Sequence, residues 1–136
     1  MQINVELTHQ RITPSAPRLT GGNVGAWVEF SGIVRGEEGG RAIAALEYEA
    51  YDSMAKRVMT ELLEQLGVQH GCEAAHAIHR VGVIPVGEIA IWIGVGSGHR
   101  KEALALVTEF MDQLKQEVPI WKRRALTAAE RSPSAR

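Results

Sequence analysis

The stretch from Glu88 to Pro119 constrains the fold most, because a strand pattern there changes directly into a helix pattern. Over 88–96, apolar side chains occupy every second position, at Ile89, Ile91, Ile93 and Val95. This alternation is typical of a strand. From about Gly98 to Val118 the apolar residues recur at helical spacing, and Pro119 cannot continue a helix. The segment therefore predicts a strand followed at once by a long helix.

The remaining elements are shorter or less regular. Further strands are predicted over 2–7, 26–34, 42–51 and 74–79. A first helix is predicted from the apolar stripe over 54–66, with Asp52 or Ser53 as N-cap and Gly67 as its C-terminal stop. This order predicts an α+β fold: a single domain with a mostly antiparallel sheet and two main helices.

Composition limits the class of protein. The 136 residues carry a net charge of −1, so any anion site must come from local clustering of cations. Cys72 is the only cysteine, which suits a reducing compartment. Neither a signal peptide nor an apolar run of roughly 20 residues is found, so we expect a cytoplasmic protein without membrane contact.

Residues 1–124 are expected to form the domain, and 125–136 a disordered tail.

The end of the second helix is the most informative candidate site. Lys115 lies in its last turn, and Trp121 is expected to anchor the following turn by burial. Lys122, Arg123 and Arg124 would then project nearby and suit a phosphorylated ligand. Neighbouring cations also favour a neutral lysine that can move protons or attack an acyl group. Alternatively, these cations only complement the helix dipole.

Two further groups could add anion contacts. Ser97 is a plausible N-cap of the second helix, with His99 and Arg100 as donors beside free backbone N–H groups. Arg35 ends a strand at a glycine-rich loop, where it could reach a ligand held at the sheet end. An ordinary capped helix and a solvated arginine are the alternatives.

Other patterns indicate chemistry less strongly. His70, Cys72 and His76 share strand parity, so a zinc site is conceivable, but the spacing matches no standard pattern and we predict no metal. Glu47 and Glu49 face one way and could be paired carboxylates, although a solvent-facing strand explains them as well.

Five segments in order carry a resemblance to a known family. They are Gly25–Arg35, Glu49–Ala55, His79–Gly82 with Val86–Glu88, Ser97–Arg100, and Leu114-Lys115 with Val118–Lys122. Together they resemble the large, catalytic subunit of molybdopterin synthase over roughly residues 25 to 123. The element Pro119-Ile120-Trp121-Lys122 is the most specific of them.

The resemblance implies an α/β hammerhead fold and a homodimer within a heterotetramer. It implies a transferase of molybdenum cofactor biosynthesis with no cofactor of its own. The partner would be a ubiquitin-like small subunit whose C-terminal Gly-Gly ends in a thiocarboxylate. Its tail would deliver sulfur to cyclic pyranopterin monophosphate, and two transfers would build the dithiolene of molybdopterin.

The resemblance also implies residue roles. Lys115 and Lys122 are the expected catalytic residues, with Lys115 as general acid/base and candidate transient acyl acceptor. The expected substrate-binding residues are Ile33, Val34, Arg35, His99, Arg100, Lys115, Lys122, Arg123 and Arg124. His99 and Arg100 are candidates to act from the opposite protomer.

Two departures from the family pattern leave alternatives open. Arg124 stands where the family usually has Glu, and Leu104 where it usually has Phe. The first keeps open a non-catalytic relative that retains the partner-binding groove. A nucleic-acid module using Lys122, Arg123, Arg124, Arg131 and Arg136 is the other alternative, but no interleaved aromatics or positive net charge support it.

Overall fold

The computed structural model describes residues 1–14 and 22–130, which alternate between strands and two long helices. The elements, numbered in chain order, are β1 (Gln2–Thr8), β2 (Ala26–Ile33), β3 (Glu37–Glu38), β4 (Arg41–Ala42), β5 (Ala45–Ala50), α1 (Asp52–His70), β6 (Cys72–Arg80), β7 (Gly82–Pro85), β8 (Ile89–Ser97), α2 (Arg100–Glu117) and β9 (Ile120–Leu126). Residues 128–130 are also helical. None of the described helices is long and apolar enough to cross a membrane.

The larger sheet carries both long helices on one face. Its strand order is β1-β6-β8-β2, with β1 parallel to β6 and the other pairs antiparallel. The predicted alternation of β8 is confirmed, since Ile91, Ile93 and Val95 join the core beneath α1 and α2. On the opposite face, the Trp92 indole is buried and donates to Glu29 Oε1 at 3.1 Å. Both faces of β8 are therefore covered.

A smaller sheet packs around a second core. Its order is β7-β5-β9, all antiparallel, and its core contains Val34, Leu46, Ile84 and Ala90. β3 and β4 form a separate two-stranded hairpin. The predicted α+β class with mostly antiparallel sheets is confirmed.

The ends of α1 differ from the prediction. The N-cap is Tyr51, which makes no side-chain capping hydrogen bond, so neither Asp52 nor Ser53 is the N-cap. Gly67 lies inside the helix, and the stop is Gly71, whose φ of 72° is left-handed. The predicted stop was wrong because a second glycine, four residues on, adopts the conformation that ends a helix. A Cβ at Gly67 would meet the Met1 thioether, which belongs to a half-exposed and flexible side chain.

The start of α2 also differs. Its N-cap is His99, and Ser97 remains in β8, where its buried hydroxyl donates to the His99 carbonyl. Ser97 is therefore not the N-cap, because its hydroxyl is engaged by a carbonyl rather than by a helix N–H. The predicted end is confirmed, since Val118 is extended and Pro119 follows.

β9 was not predicted, and it moves the boundary of the folded chain. The predicted disordered tail began at Ala125, but Ala125 and Leu126 pair with β5 and Leu126 is buried. The boundary at residue 124 was wrong because this strand is mostly exposed and cationic and lacks an apolar alternation. Residues 131–136 of that tail, with Arg131 and Arg136, lie outside the described residues, as does part of the predicted loop around Pro17.

The two glycines of α1 give a test of where this helix ends. Gly71→Ala should lower the free energy of unfolding by about 1 kcal/mol, because alanine is strained at positive φ. Gly67→Ala should not lower it, because about 1 kcal/mol of helix propensity offsets the displacement of half-exposed Met1. Urea unfolding followed by circular dichroism measures both. A larger loss in Gly67→Ala than in Gly71→Ala would contradict the assigned helix end.

Candidate active site

A cavity of about 300 Å³ lies where the end of α2 meets both sheets and the β3–β4 hairpin. Three cations line it: Arg35, Lys115 and Lys122. Two carboxylates, Glu37 and Glu38, line its hairpin side. Phe30, Tyr48 and Met111 contribute apolar wall. The lining thus has one more positive than negative side chain, which suits an anionic ligand with an apolar part.

The two lysines come from consecutive elements. Lys115 lies one helical turn after Met111, so both side chains share the face of α2 that borders the cavity. The chain then turns at Pro119, whose carbonyl accepts a hydrogen bond from Tyr51 N at 3.1 Å. β9 follows, and Lys122 lies opposite Tyr48 of β5. The predicted proximity of Lys115 and Lys122 is present in one cavity.

A bulge in β9 separates the three consecutive cations. Tyr48 pairs with Lys122 and Glu47 with Arg124, so Arg123 is an extra residue on β9. Arg124 Nε donates to Glu47 Oε1 at 2.7 Å, which raises the pKa of Arg124. Arg123 Nη1 lies 2.9 Å from Glu49 Oε1. Arg123 and Arg124 therefore cover Glu47 and Glu49 and do not line the cavity.

Lys122 already has a carboxylate partner. Its Nζ donates to Glu38 Oε2 at 2.7 Å. This hydrogen bond, the charge of Lys122 and the charge of Arg35 hold the pKa of Glu38 below its ordinary value. Lys115 is exposed and has no ion pair with any residue in the described ranges. Lys122 is thus paired with a carboxylate, whereas Lys115 is available to contact a ligand.

The backbone directly before Arg35 is held by hydrogen bonds of Val34. Val34 is buried, its N–H donates to the Glu88 carbonyl at 3.0 Å, and its carbonyl accepts from Gly87 N at 2.9 Å. Ile33 lines the cavity and is 55% exposed. Ile33, Val34 and Arg35 therefore reach the cavity as a rigid strand end, with the guanidinium free of ion pairs to described residues.

His99 and Arg100 lie at the other end of α2. Arg100 and Lys115 are fifteen positions apart within one helix, which corresponds to about 22 Å. Both residues are exposed, and the first turn of α2 receives no side-chain cap from the described residues. One chain therefore does not bring them to the cavity of Lys115 and Lys122.

Some segments of the family pattern have structural roles. Arg80 Nη1 lies 2.6 Å from Glu88 Oε1 and ties β6 to the turn before β8. His79 is buried, its Nδ1 lies 2.7 Å from the Arg80 carbonyl, and burial lowers the pKa of its ring. The His79 ring meets Tyr48 edge-on, with centroids 5.4 Å apart. These contacts hold one wall of the cavity.

Trp121 was expected to be buried, and this was wrong. Its side chain is 38% exposed and tilts against the more exposed Tyr51, with ring centroids 5.1 Å apart. Its strand position puts it on the Glu49 face, away from the cavity side of β9.

The conceivable zinc ligands have other partners. His70 Nε2 lies 3.0 Å from Glu109, and His76 Nε2 lies 3.3 Å from Glu6. Cys72 is buried, and burial, Glu102 and Glu73 raise the pKa of its thiol to about 11. Within residues 1–14 and 22–130, no three such side chains group as a metal site would require.

A larger cavity, about 550 Å³, lies between the end of β1 and the start of α1. Its charges balance, with Arg11 and Lys56 against Glu6 and Asp52. The smaller cavity is the better candidate because three cations from separate parts of the chain, Arg35, Lys115 and Lys122, converge on it and outnumber its two carboxylates. Glu38 and Tyr48 line this cavity but were not predicted as site residues, and the signal in the sequence for Glu38 was its place in the glycine-rich loop.

Comparison with known proteins agrees with the resemblance. A family model described as MoaE protein matches residues 5–117. The molybdopterin synthase catalytic subunit of Thermoplasma volcanium is 35% identical over 121 residues, covering 88% of this chain and 88% of that protein. The one from Pyricularia oryzae is 33% identical over 128 residues, covering 93% and 70%.

Solved structures share the fold. Molybdopterin synthase from Staphylococcus aureus superposes with a TM-score of 0.70 at 34% identity, covering 76% of this chain and 75% of that one. A complex of subunits 1 and 2 of molybdopterin-converting factor from Helicobacter pylori gives a TM-score of 0.63 at 28% identity, covering 81% and 75%. Sequence and structure lead to one conclusion: the chain belongs to the MoaE protein family, which includes the molybdopterin synthase catalytic subunits.

Proposed function

We propose that this chain is the catalytic subunit of a molybdopterin synthase, a sulfurtransferase acting on cyclic pyranopterin monophosphate. The sulfur comes from the thiocarboxylated C-terminus of a ubiquitin-like small subunit. The observation that carries the proposal is the convergence of Arg35, Lys115 and Lys122 on one cavity. The catalytic subunits of that name at 33–35% identity support it.

The cavity suits the charges of this reaction. The substrate carries a cyclic phosphate and the incoming tail ends in an anion, so two negative groups must meet. Cations placed before the reaction stabilise that charge without reorganisation. Phe30, Tyr48 and Met111 offer apolar contact for the pterin ring.

The two lysines have different roles in this proposal. Lys115, unpaired with any described residue, is the general acid/base and the candidate acceptor of the partner's acyl group. Lys122 binds the anionic group and stabilises developing charge. Arg123 and Arg124 were expected to bind substrate, but their pairing with Glu47 and Glu49 favours a role in holding β9 to β5.

A complete site requires a second copy of the chain. His99 and Arg100 lie about 22 Å from Lys115 along α2, too far for one chain to place all three on one small substrate. We propose that they act from the opposite protomer, where the uncapped start of α2 adds N–H donors for the phosphate. The small subunits complete a heterotetramer around that homodimer.

The alternative of a non-catalytic relative is not favoured. It rested on Arg124, and that side chain does not line the cavity. The three lining cations are all present. Cytoplasmic location remains part of the proposal, in keeping with the single buried cysteine.

Replacing Lys115 tests the catalytic role. Lys115→Ala should lower molybdopterin formation in a reconstituted reaction by at least about 100-fold, because proton transfer by a positioned group typically contributes that much. Binding of the small subunit, measured by calorimetry, should be largely retained. Lys56→Ala, at an exposed lysine of α1, is the matched control and should retain activity. Turnover of Lys115→Ala within a few-fold of wild type would reject this role.

Mixing two inactive variants tests the shared site. Lys115→Ala and Arg100→Ala chains are each expected to be impaired. In a mixed dimer, one of the two sites would combine an intact Lys115 with the other chain's intact Arg100. Random mixing should therefore restore about a quarter of wild-type activity in a two-fold symmetric dimer. If mixing restored nothing while each variant alone was inactive, Lys115 and Arg100 would not act across protomers.

A further inference from the structure

Of the two described carboxylates that line the cavity, Glu38 is the one that contacts Lys122. Its Oε2 accepts from Lys122 Nζ at 2.7 Å, and both side chains remain partly exposed, at 35% and 41%. An ion pair this exposed is weak and exchanges readily with other ions. Glu38 therefore pairs with Lys122, but another anion can displace it.

The hairpin that carries Glu38 is a small, separate unit. β3 and β4 pair only with one another among the described strands. Their connection, Gly39-Gly40, has φ values of 58° and 79°, which fit a two-residue hairpin turn. At its base, Ile43 N donates to the Gly36 carbonyl at 3.1 Å. The hairpin can therefore shift without breaking the pairing of either larger sheet.

We propose that Glu38 is an internal counter-ion that holds Lys122 in the free protein and is displaced by the terminal anion of the partner's tail. This rests on the proposed function, since the displacing group is the carboxylate or thiocarboxylate of the small subunit. Glu38 is thus a positioning residue that acts through Lys122. It keeps the ammonium directed into the cavity and releases it only to a ligand with a terminal negative charge.

The charge balance of the cavity explains why displacement is favourable only for an anion. Three cations face Glu37 and Glu38. A neutral ligand that moved Glu38 away would leave Lys122 without a partner, whereas a carboxylate replaces the lost contact. The exchange therefore discriminates against tails whose terminus is blocked or uncharged.

Binding of the small subunit in its carboxylate form tests the exchange. Glu38→Gln removes the competing charge at nearly constant shape, so the Kd should fall about two- to five-fold, the size of an exposed ion pair. Glu37→Gln is the matched control, since it removes the same charge from the same hairpin, and its Kd should change less. A small subunit with an amidated C-terminus should bind both variants and wild type alike.

Titration of Glu38 provides a readout that a structural role would not change. In the free wild-type protein, carboxyl NMR should show a Glu38 pKa below the ordinary value, as the contact with Lys122 requires. Saturation with the small subunit should raise it, and Lys122→Met should raise it in the absence of any partner. An unchanged pKa on binding would overturn the displacement.

The outcomes separate the two proposals. If the wild-type chain does not bind the small subunit, the proposed function and this inference both fail. If it binds, but Glu38→Gln leaves the Kd unchanged or weakens binding, only the inference fails. Weaker binding would mean that Glu38 contributes to the complex and does not compete with the tail.

Discussion

The antiparallel pairing of β9 with β5 is the interaction on which the site depends. It begins directly after Pro119, and Tyr51 N fixes the turn by donating to the Pro119 carbonyl at 3.1 Å. The pairing gives the smaller sheet its third strand and buries Leu126. It also turns the chain back so that Lys122 on β9 and Lys115 on α2 line the same cavity. Without this strand pairing, Lys115 and Lys122 would not line the same cavity.

The bulge in β9 then determines which of its cations line that cavity. In a regular strand, Lys122 and Arg124 would face the same way. The extra residue at Arg123 changes this, so that Arg124 pairs with Glu47 while Lys122 stays beside Tyr48. The cavity therefore keeps Arg35, Lys115 and Lys122, while Arg123 and Arg124 are paired with glutamates outside it. The departure at Arg124 consequently affects the strand surface rather than the lining of the cavity.

The sequence predicted the elements whose signal is local. The alternation of β8, the stripe of α2 and its end before Pro119 each depend on neighbouring residues, and each was confirmed. Features that depend on residues further away were missed: β9 needs β5 as its pairing partner, α1 continues past Gly67 to Gly71, and Trp121 lies on the exposed face of its strand. The proximity of Lys115 and Lys122 was predictable from their spacing around Pro119. The contact of Glu38 with Lys122 was not predictable, because it depends on where the β3–β4 hairpin lies relative to β9.

Product formation by the purified chain tests the proposed synthase activity directly. The chain is mixed with cyclic pyranopterin monophosphate and a thiocarboxylated ubiquitin-like small subunit, and molybdopterin is detected as its fluorescent oxidised derivative. We expect product that requires both the chain and the thiocarboxylate, with none when the small subunit carries an ordinary carboxylate. A stable complex that yields no product would contradict the assignment of this cavity as a catalytic site.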